Sequence, residues 1–210
     1  MNPLMEEIRQ AIWNHDAKKV EELVERALAE NIDLLTIVNE GLVDGMNRIG
    51  EKFKSGEVFI PEVLVSARAM GAGMDVVKPL LQQAGIKEKG TLIIGTAKED
   101  LHDIGKNLVI IMFEGAGYKV VDLGIDVKPG KFLEAIEEHQ PQIIGISALL
   151  TTTMTNMRET TKTIKSKYPN AKIIVGGAPV TQRFADEIGA DAYAVDAAVA
   201  VEKANSFISA

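Results

Sequence analysis

The stretch "TLIIGTAKEDLHDIGKN", Thr91–Asn107, decides how this chain is read. Its first six residues are apolar and mostly branched, without polar alternation, the pattern of a strand covered on both faces in a parallel sheet. From about residue 104 the apolar spacing becomes helical. Asp100, His102 and Gly105 stand at the junction, although the chain has only three histidines to place.

Working downstream, "YKVVDLG" (118–124), "QIIGISALL" (142–150) and "AKIIVGG" (171–177) are further short apolar runs, and "DAYAV" (191–195) reads as a fifth strand. Helical patterns fall near 104–115, 129–139, 153–168, 180–188 and 196–208. This alternation predicts an α/β fold: a Rossmann-like, flavodoxin-like, doubly wound domain with a five-stranded parallel sheet. Such a sheet binds ligands at the carboxyl ends of its strands.

Upstream the period is helical throughout. Leu4, Met5, Ile8 and Ile12 share one face; Asp16 and Asp33 are placed to cap a second and a third helix. Ser55-Gly56 breaks the third, and Pro61 suits the first turn of a fourth. An all-α four-helix bundle is expected, with "QQAGIKEKG" (82–90) as a polar linker. The expected domains are 1–88, a helical cap, and 89–210, the α/β domain.

Composition narrows the function classes. A net charge of -7 over 210 residues argues against nucleic-acid binding. The absence of cysteine removes disulfides, thiolate metal sites and a cysteine nucleophile. No apolar run approaches the roughly 18 residues of a membrane span, and the N-terminus is polar and amphipathic. A cytoplasmic protein without membrane or nucleic-acid partners is expected.

Ordinary readings of the junction fail. A phosphate loop needs glycine at Asp100 and a hydroxyl residue at Asn107. Gly115 and Gly117 form a GxG, but they follow a helix, where C-capping glycines belong. The acidic pair of a phosphoacceptor domain is missing after the first strand. A hydrolytic zinc site needs three protein ligands, and His15 and His139 lie at helix ends or in loops.

Three features converge instead on successive strand ends: Asp100-x-His102-x-x-Gly105, Ser147-Ala148-Leu149 and Gly176-Gly177. A ligating histidine commonly donates its other ring N–H to a carboxylate, and Asp100 is near enough to accept it. Gly105 leaves room at the helix start, and the glycine pair lets backbone approach an extended group. The Ser147 hydroxyl is expected to join the Asp100 network.

"DLHDIG", "SALLTTTM" and "VGGAPV" resemble, in order and spacing, the DxHxxG…SxL…GG signature of corrinoid (cobalamin)-binding proteins. The likeness is to the methyl carriers of methyltransferase systems and the B12-binding module of cobalamin-dependent methionine synthase. "GEVFIPEVLVSARAM" is similar to the cap segment of that family. The resemblance implies a cobalamin or related cobamide whose own base leaves cobalt, with His102 as axial ligand. Asp100 and Ser147 become the proton-holding hydrogen-bond network behind it. Leu101, Asp103, Ile104, Gly105, Ser147, Leu149, Gly176 and Gly177 would line the cofactor, with Thr151, Thr152, Ala178 and Tyr193 placed by proximity. Phe59 and Ile60, followed by Leu64 and Met70, are candidates to cover the cobalt's other face.

The implied role is a carrier subunit, not a complete enzyme. A substrate-specific methyltransferase, of O-demethylase or methylamine type, would load a methyl group. A second would pass it to tetrahydrofolate or a thiol coenzyme, and a reductive activator is a further implied partner. The alternatives are the B12-binding subunit of an adenosylcobalamin mutase and a B12-sensing regulatory module. The helical cap weighs against the first, and the lack of a basic DNA-binding stretch against the second.

Overall fold

The computed structural model describes residues 2–84 and 88–208, so residues 85–87 of the expected linker lie outside the described residues. The chain divides into two compact units, Met1–Glu88 with Gly115–Gly117, and Lys89–Glu114 with Tyr118–Ala210. No helix among the described residues is long and apolar enough to cross a membrane.

The first unit is helical: α1 (Pro3–Trp13), α2 (Ala17–Ala29), α3 (Leu34–Thr36), a π-helical segment (Ile37–Val43), α4 (Asp44–Lys54) and α5 (Ile60–Gln83). The Asp16 carboxylate accepts the Lys19 N–H at 3.0 Å and that of Asp33 accepts the Thr36 N–H at 3.1 Å, satisfying donors that a helix start leaves free. At the start of α5, Glu62 reaches back to accept the Phe59 N–H at 2.8 Å, half of a capping box. Ile8, Ile12, Val20, Val24, Leu42, Ile49, Val63 and Val77 are buried.

The third expected helix differs in one respect: its middle is π-helical. The buried Arg9 guanidinium donates to the Glu40 C=O inside that segment, and an inserted donor of this kind opens the helical ladder. Gly41 and Gly45 let α1 come close; a Cβ on Gly45 would stand 2.8 Å from Ile12 Cδ1.

The second unit is the α/β domain. Its strands are β1 (Thr91–Thr96), β2 (Lys119–Asp122), β3 (Ile143–Ser147), β4 (Lys172–Gly176) and β5 (Ala192–Ala194). They form one parallel sheet in the order β2-β1-β3-β4-β5. The helices are α6 (Ile104–Gly115), α7 (Pro129–His139), α8 (Met154–Lys167), α9 (Gln182–Ile188) and α10 (Ala197–Ile208). Ile93, Ile144, Ile173 and Phe132 are among the fully buried core side chains, each contributing about 1.5–3 kcal/mol of apolar burial.

Gly117 takes φ +85° just beyond α6, and the Tyr118 N–H donates to the Phe113 C=O at 3.0 Å. The Phe113 and Tyr118 rings meet edge-on at 5.0 Å, so the GxG closes a helix as a Schellman turn with its usual apolar contact.

From β1 the chain passes to β2 on one side, then crosses to β3 on the other. Loops leaving the carboxyl ends of β1 and β3 therefore diverge, and doubly wound sheets bind ligands in the crevice this creates. The loop before α6 carries His102, and the loop before α8 carries Leu149 to Thr153.

Candidate functional site

Asp100 lies in the β1–α6 loop with none of its surface exposed. A buried carboxylate is tolerable only when its lone pairs are used. Oδ1 accepts the His102 backbone N–H at 3.1 Å and stands 2.7 Å from His102 Nδ1. Oδ2 accepts the Thr153 hydroxyl at 2.6 Å and the Leu149 N–H at 2.7 Å. One side chain thus ties the loop after β1 to the loop after β3 across the switch point.

Burial alone would raise the Asp100 pKa. The bonds from Thr153, Leu149 and His102 outweigh it and hold the carboxyl well below the usual carboxylate range. At neutral pH the group is an anion that only accepts, so His102 Nδ1 carries the proton and donates. The lone pair on Nε2 is left for a ligand, on a side chain that is 49% exposed.

Ser147 does not reach Asp100, which corrects the expectation from sequence. Ser147 and Thr96 are register partners on adjacent strands, so their side chains stand side by side, 3.0 Å apart at the hydroxyls. The Thr96 hydroxyl donates to the His102 C=O at 3.0 Å and so accepts from Ser147. Ser147 supports the histidine backbone through Thr96, and Thr153 takes the place beside the carboxylate. Thr153 was hidden in sequence as the last of three threonines before a helix, a position that reads as an N-cap. Its hydroxyl makes no capping bond and donates to Asp100 instead.

The glycines separate into two kinds. A Cβ on Gly105 would meet nothing within 4 Å, so packing does not require glycine there, and open space remains for a bulky group. Gly176 and Gly177 face backbone instead. A Cβ on Gly176 would stand 3.0 Å from the Ala194 C=O, and one on Gly177 only 1.9 Å from the Ala148 C=O.

The loops at this end of the sheet expose apolar side chains. Leu101, Ile104, Ile125, Leu149, Leu150 and Val195 account for every exposed large hydrophobic side chain among the described residues of this unit, and all follow strand carboxyl ends. Soluble proteins rarely gather such side chains without a partner to cover them. Asp103, Thr151, Thr152 and Ala178 are exposed in the same loops. Tyr193 is not among them: it sits mid-strand in β5, paired with Val175, and packs against the core. In the helical unit Phe59, Ile60 and Leu64 are exposed, whereas Met70 is buried.

The donor set discriminates between metals. Among the described residues no three His, Cys, Asp or Glu side chains gather to hold an ion, and a bare zinc would need at least three. A metal that arrives inside its own ring of nitrogen ligands needs one axial donor and a flat apolar seat. His102 with its leucine and isoleucine rim fits a corrinoid.

Comparison with known proteins agrees. Residues 90–204 match a B12 binding domain model, and residues 4–78 match a second model described in the same words. A corrinoid protein of Desulfitobacterium hafniense is 44% identical over 210 residues, covering 98% of this chain and 97% of that one. Trimethylamine corrinoid protein 1 of Methanosarcina acetivorans is 43% identical, with 95% of this chain and 94% of that one covered. Among solved structures, the methanol:cobalamin methyltransferase complex of Methanosarcina barkeri superposes with a TM-score of 0.88 at 31% identity, covering 99% of this chain and 80% of that one.

Proposed function

The chain belongs to the corrinoid-protein family built on B12 binding domains, and from that membership we propose that it carries a methyl group on a bound cobamide between two methyltransferases. The bound group supplies a cobalt that accepts and releases methyl. Everything else is done by the chain. His102 Nε2 would hold the metal, and Asp100 fixes the ring and its tautomer. Thr153 and the Leu149 N–H keep Asp100 ionised although it is buried. The exposed Leu101, Ile104, Leu149 and Leu150 would seat the ring and exclude water from the histidine side.

The observation that carries this reading is the Asp100–His102 pair at 2.7 Å, in a loop that also exposes Leu101 and Ile104. The first partner is a methyltransferase specific for a methylamine or a methoxylated compound, and the second delivers to tetrahydrofolate or a thiol coenzyme. Support for the partners comes from relatives named for trimethylamine and for a methanol:cobalamin methyltransferase complex. A cytoplasmic location and a reductive activator complete the reading.

The test is reconstitution with methylcobalamin. The absorption spectrum should show the benzimidazole displaced and an imidazole bound, and a methylamine:corrinoid methyltransferase should load or unload the methyl group. His102→Ala is expected to lose the imidazole spectrum while remaining folded. A His102→Ala spectrum identical to wild type would exclude His102 as the ligand.

A further inference from the structure

The signature residues do not hold their loop alone. Asp100 is preceded by Glu99, which has a left-handed backbone at φ +65° without being glycine. That is a sparsely populated conformation for a residue with a long side chain, and it persists only where surrounding contacts impose it. Two side chains outside the signature make those contacts. The Glu99 N–H donates to Asp126 Oδ1 at 2.7 Å, and Asn156 Nδ2 donates to the Lys98 C=O at 2.7 Å. The Asp126 N–H in turn donates to the Asp100 C=O at 3.0 Å. Asp126 is itself left-handed at φ +52°, which aspartate tolerates better than most residues.

Asp126 comes from the loop after β2, and Asn156 from the first turn of α8. Two peptide groups, Lys98–Glu99 and Asp100–Leu101, are therefore gripped by elements on either side of β1. If Glu99 relaxed to negative φ, its N–H would turn away and the following residue would swing. Asp100 would then lose its alignment with His102, Leu149 and Thr153, which depends on contacts of 2.6–2.7 Å.

We propose that Asp126 and Asn156 are positioning residues for the metal ligand: they impose the strained Lys98–Asp100 backbone that aims Asp100 at His102. The proposal rests on the reading of His102 as axial ligand. It assigns to Asp126 and Asn156 a role that the DxHxxG signature does not contain.

The test uses the full chain carrying Asp126→Ala, Asn156→Ala, Asp126→Asn, or Asp126→Ala with Glu99→Gly, each checked for folding by circular dichroism. Loaded with cob(II)alamin, wild type should show electron paramagnetic resonance splitting from one axial imidazole nitrogen. Asp126→Ala and Asn156→Ala should each weaken cobalamin binding about tenfold, the low end for outer partners of metal ligands. Each should also show a fraction of the spectrum without that splitting. Asp126→Asn keeps an oxygen acceptor and should restore both readouts. Glu99→Gly accepts positive φ freely and should recover part of the loss caused by Asp126→Ala.

In the cofactor-free protein, 15N shifts of the His102 ring should report the Nδ1–H tautomer in wild type and a mixture in Asp126→Ala. Unchanged affinity, splitting and tautomer in both alanine variants would overturn the proposal. If Asp126→Ala does not fold, Asn156→Ala decides by the same readouts. If wild type shows no imidazole nitrogen on cobalt yet the ring shifts still respond, the ligand reading fails and the positioning role stands.

Discussion

Gly177→Ala is expected to cost more than about 4 kcal/mol, a loss that only a few mechanisms of single substitution can produce. Two of them act together here. Gly177 has φ +123°, a backbone region that residues with a Cβ scarcely enter. The added Cβ would also lie 1.9 Å from the Ala148 C=O and 2.9 Å from its carbonyl carbon. These are backbone atoms and cannot rotate aside. The Ala148 N–H donates to the Gly176 C=O at 3.2 Å, and the next residue, Leu149, donates its N–H to Asp100. Relief at residue 177 would therefore pull apart the loop that holds the site. Domains have about 5–15 kcal/mol of stability in total, so a fall in Tm of about 10 °C or more should appear by calorimetry, or the variant should not fold. Gly105→Ala is the control. Its Cβ meets nothing, and alanine favours a helix over glycine, so stability should stay within about 1 kcal/mol of wild type. A Gly177→Ala melt as close as that to wild type would refute the close approach.

Asp100→Asn should be the next most damaging change, at about 2–4 kcal/mol in urea unfolding of the cofactor-free protein. The carboxylate accepts donors on both oxygens inside the protein. An amide turned either way points its NH₂ group at other donors and leaves buried hydrogens facing each other. The pH dependence gives an independent check. The wild-type carboxyl is held below its ordinary value of 3.8, so the folded state binds that proton more weakly than the unfolded chain. Its stabilisation is complete above 3.8 and fades as the pH falls below that value toward the lowered folded one. The gap between wild type and Asp100→Asn should therefore narrow from about pH 4 to about pH 2. A constant gap over that range would mean that the carboxylate charge is not what the network stabilises.

Most of the architecture was legible because it depends on short-range signals. The branched runs at 91–96 and 143–147 became β1 and β3, and the residues placed to cap helices, Asp16 and Asp33, make those bonds. The all-parallel doubly wound sheet followed from alternation, and GxG at 115–117 closed a helix because it stood after one. The π-helical segment was not legible, since it depends on Arg9 arriving from another helix. Tyr193 was placed near the site by proximity in sequence, but its strand position packs it against the core, and Met70, a candidate from the cap segment, is buried.

Periods, caps, the junction that carries Asp100, His102 and Gly105, and a resemblance to corrinoid proteins that comparison then established are all written in short stretches of chain. Which hydroxyl meets the carboxylate depends on the folded chain. Thr153 is 53 residues from Asp100, and Ser147 is diverted because strand register sets it beside Thr96. The same holds for the bonds from Asp126 and Asn156 to the Lys98–Glu99 backbone and for the approach of Gly177 to Ala148. The physical reason is range: period and capping act within a few residues along the chain, whereas these contacts exist only once the sheet has brought separate loops together.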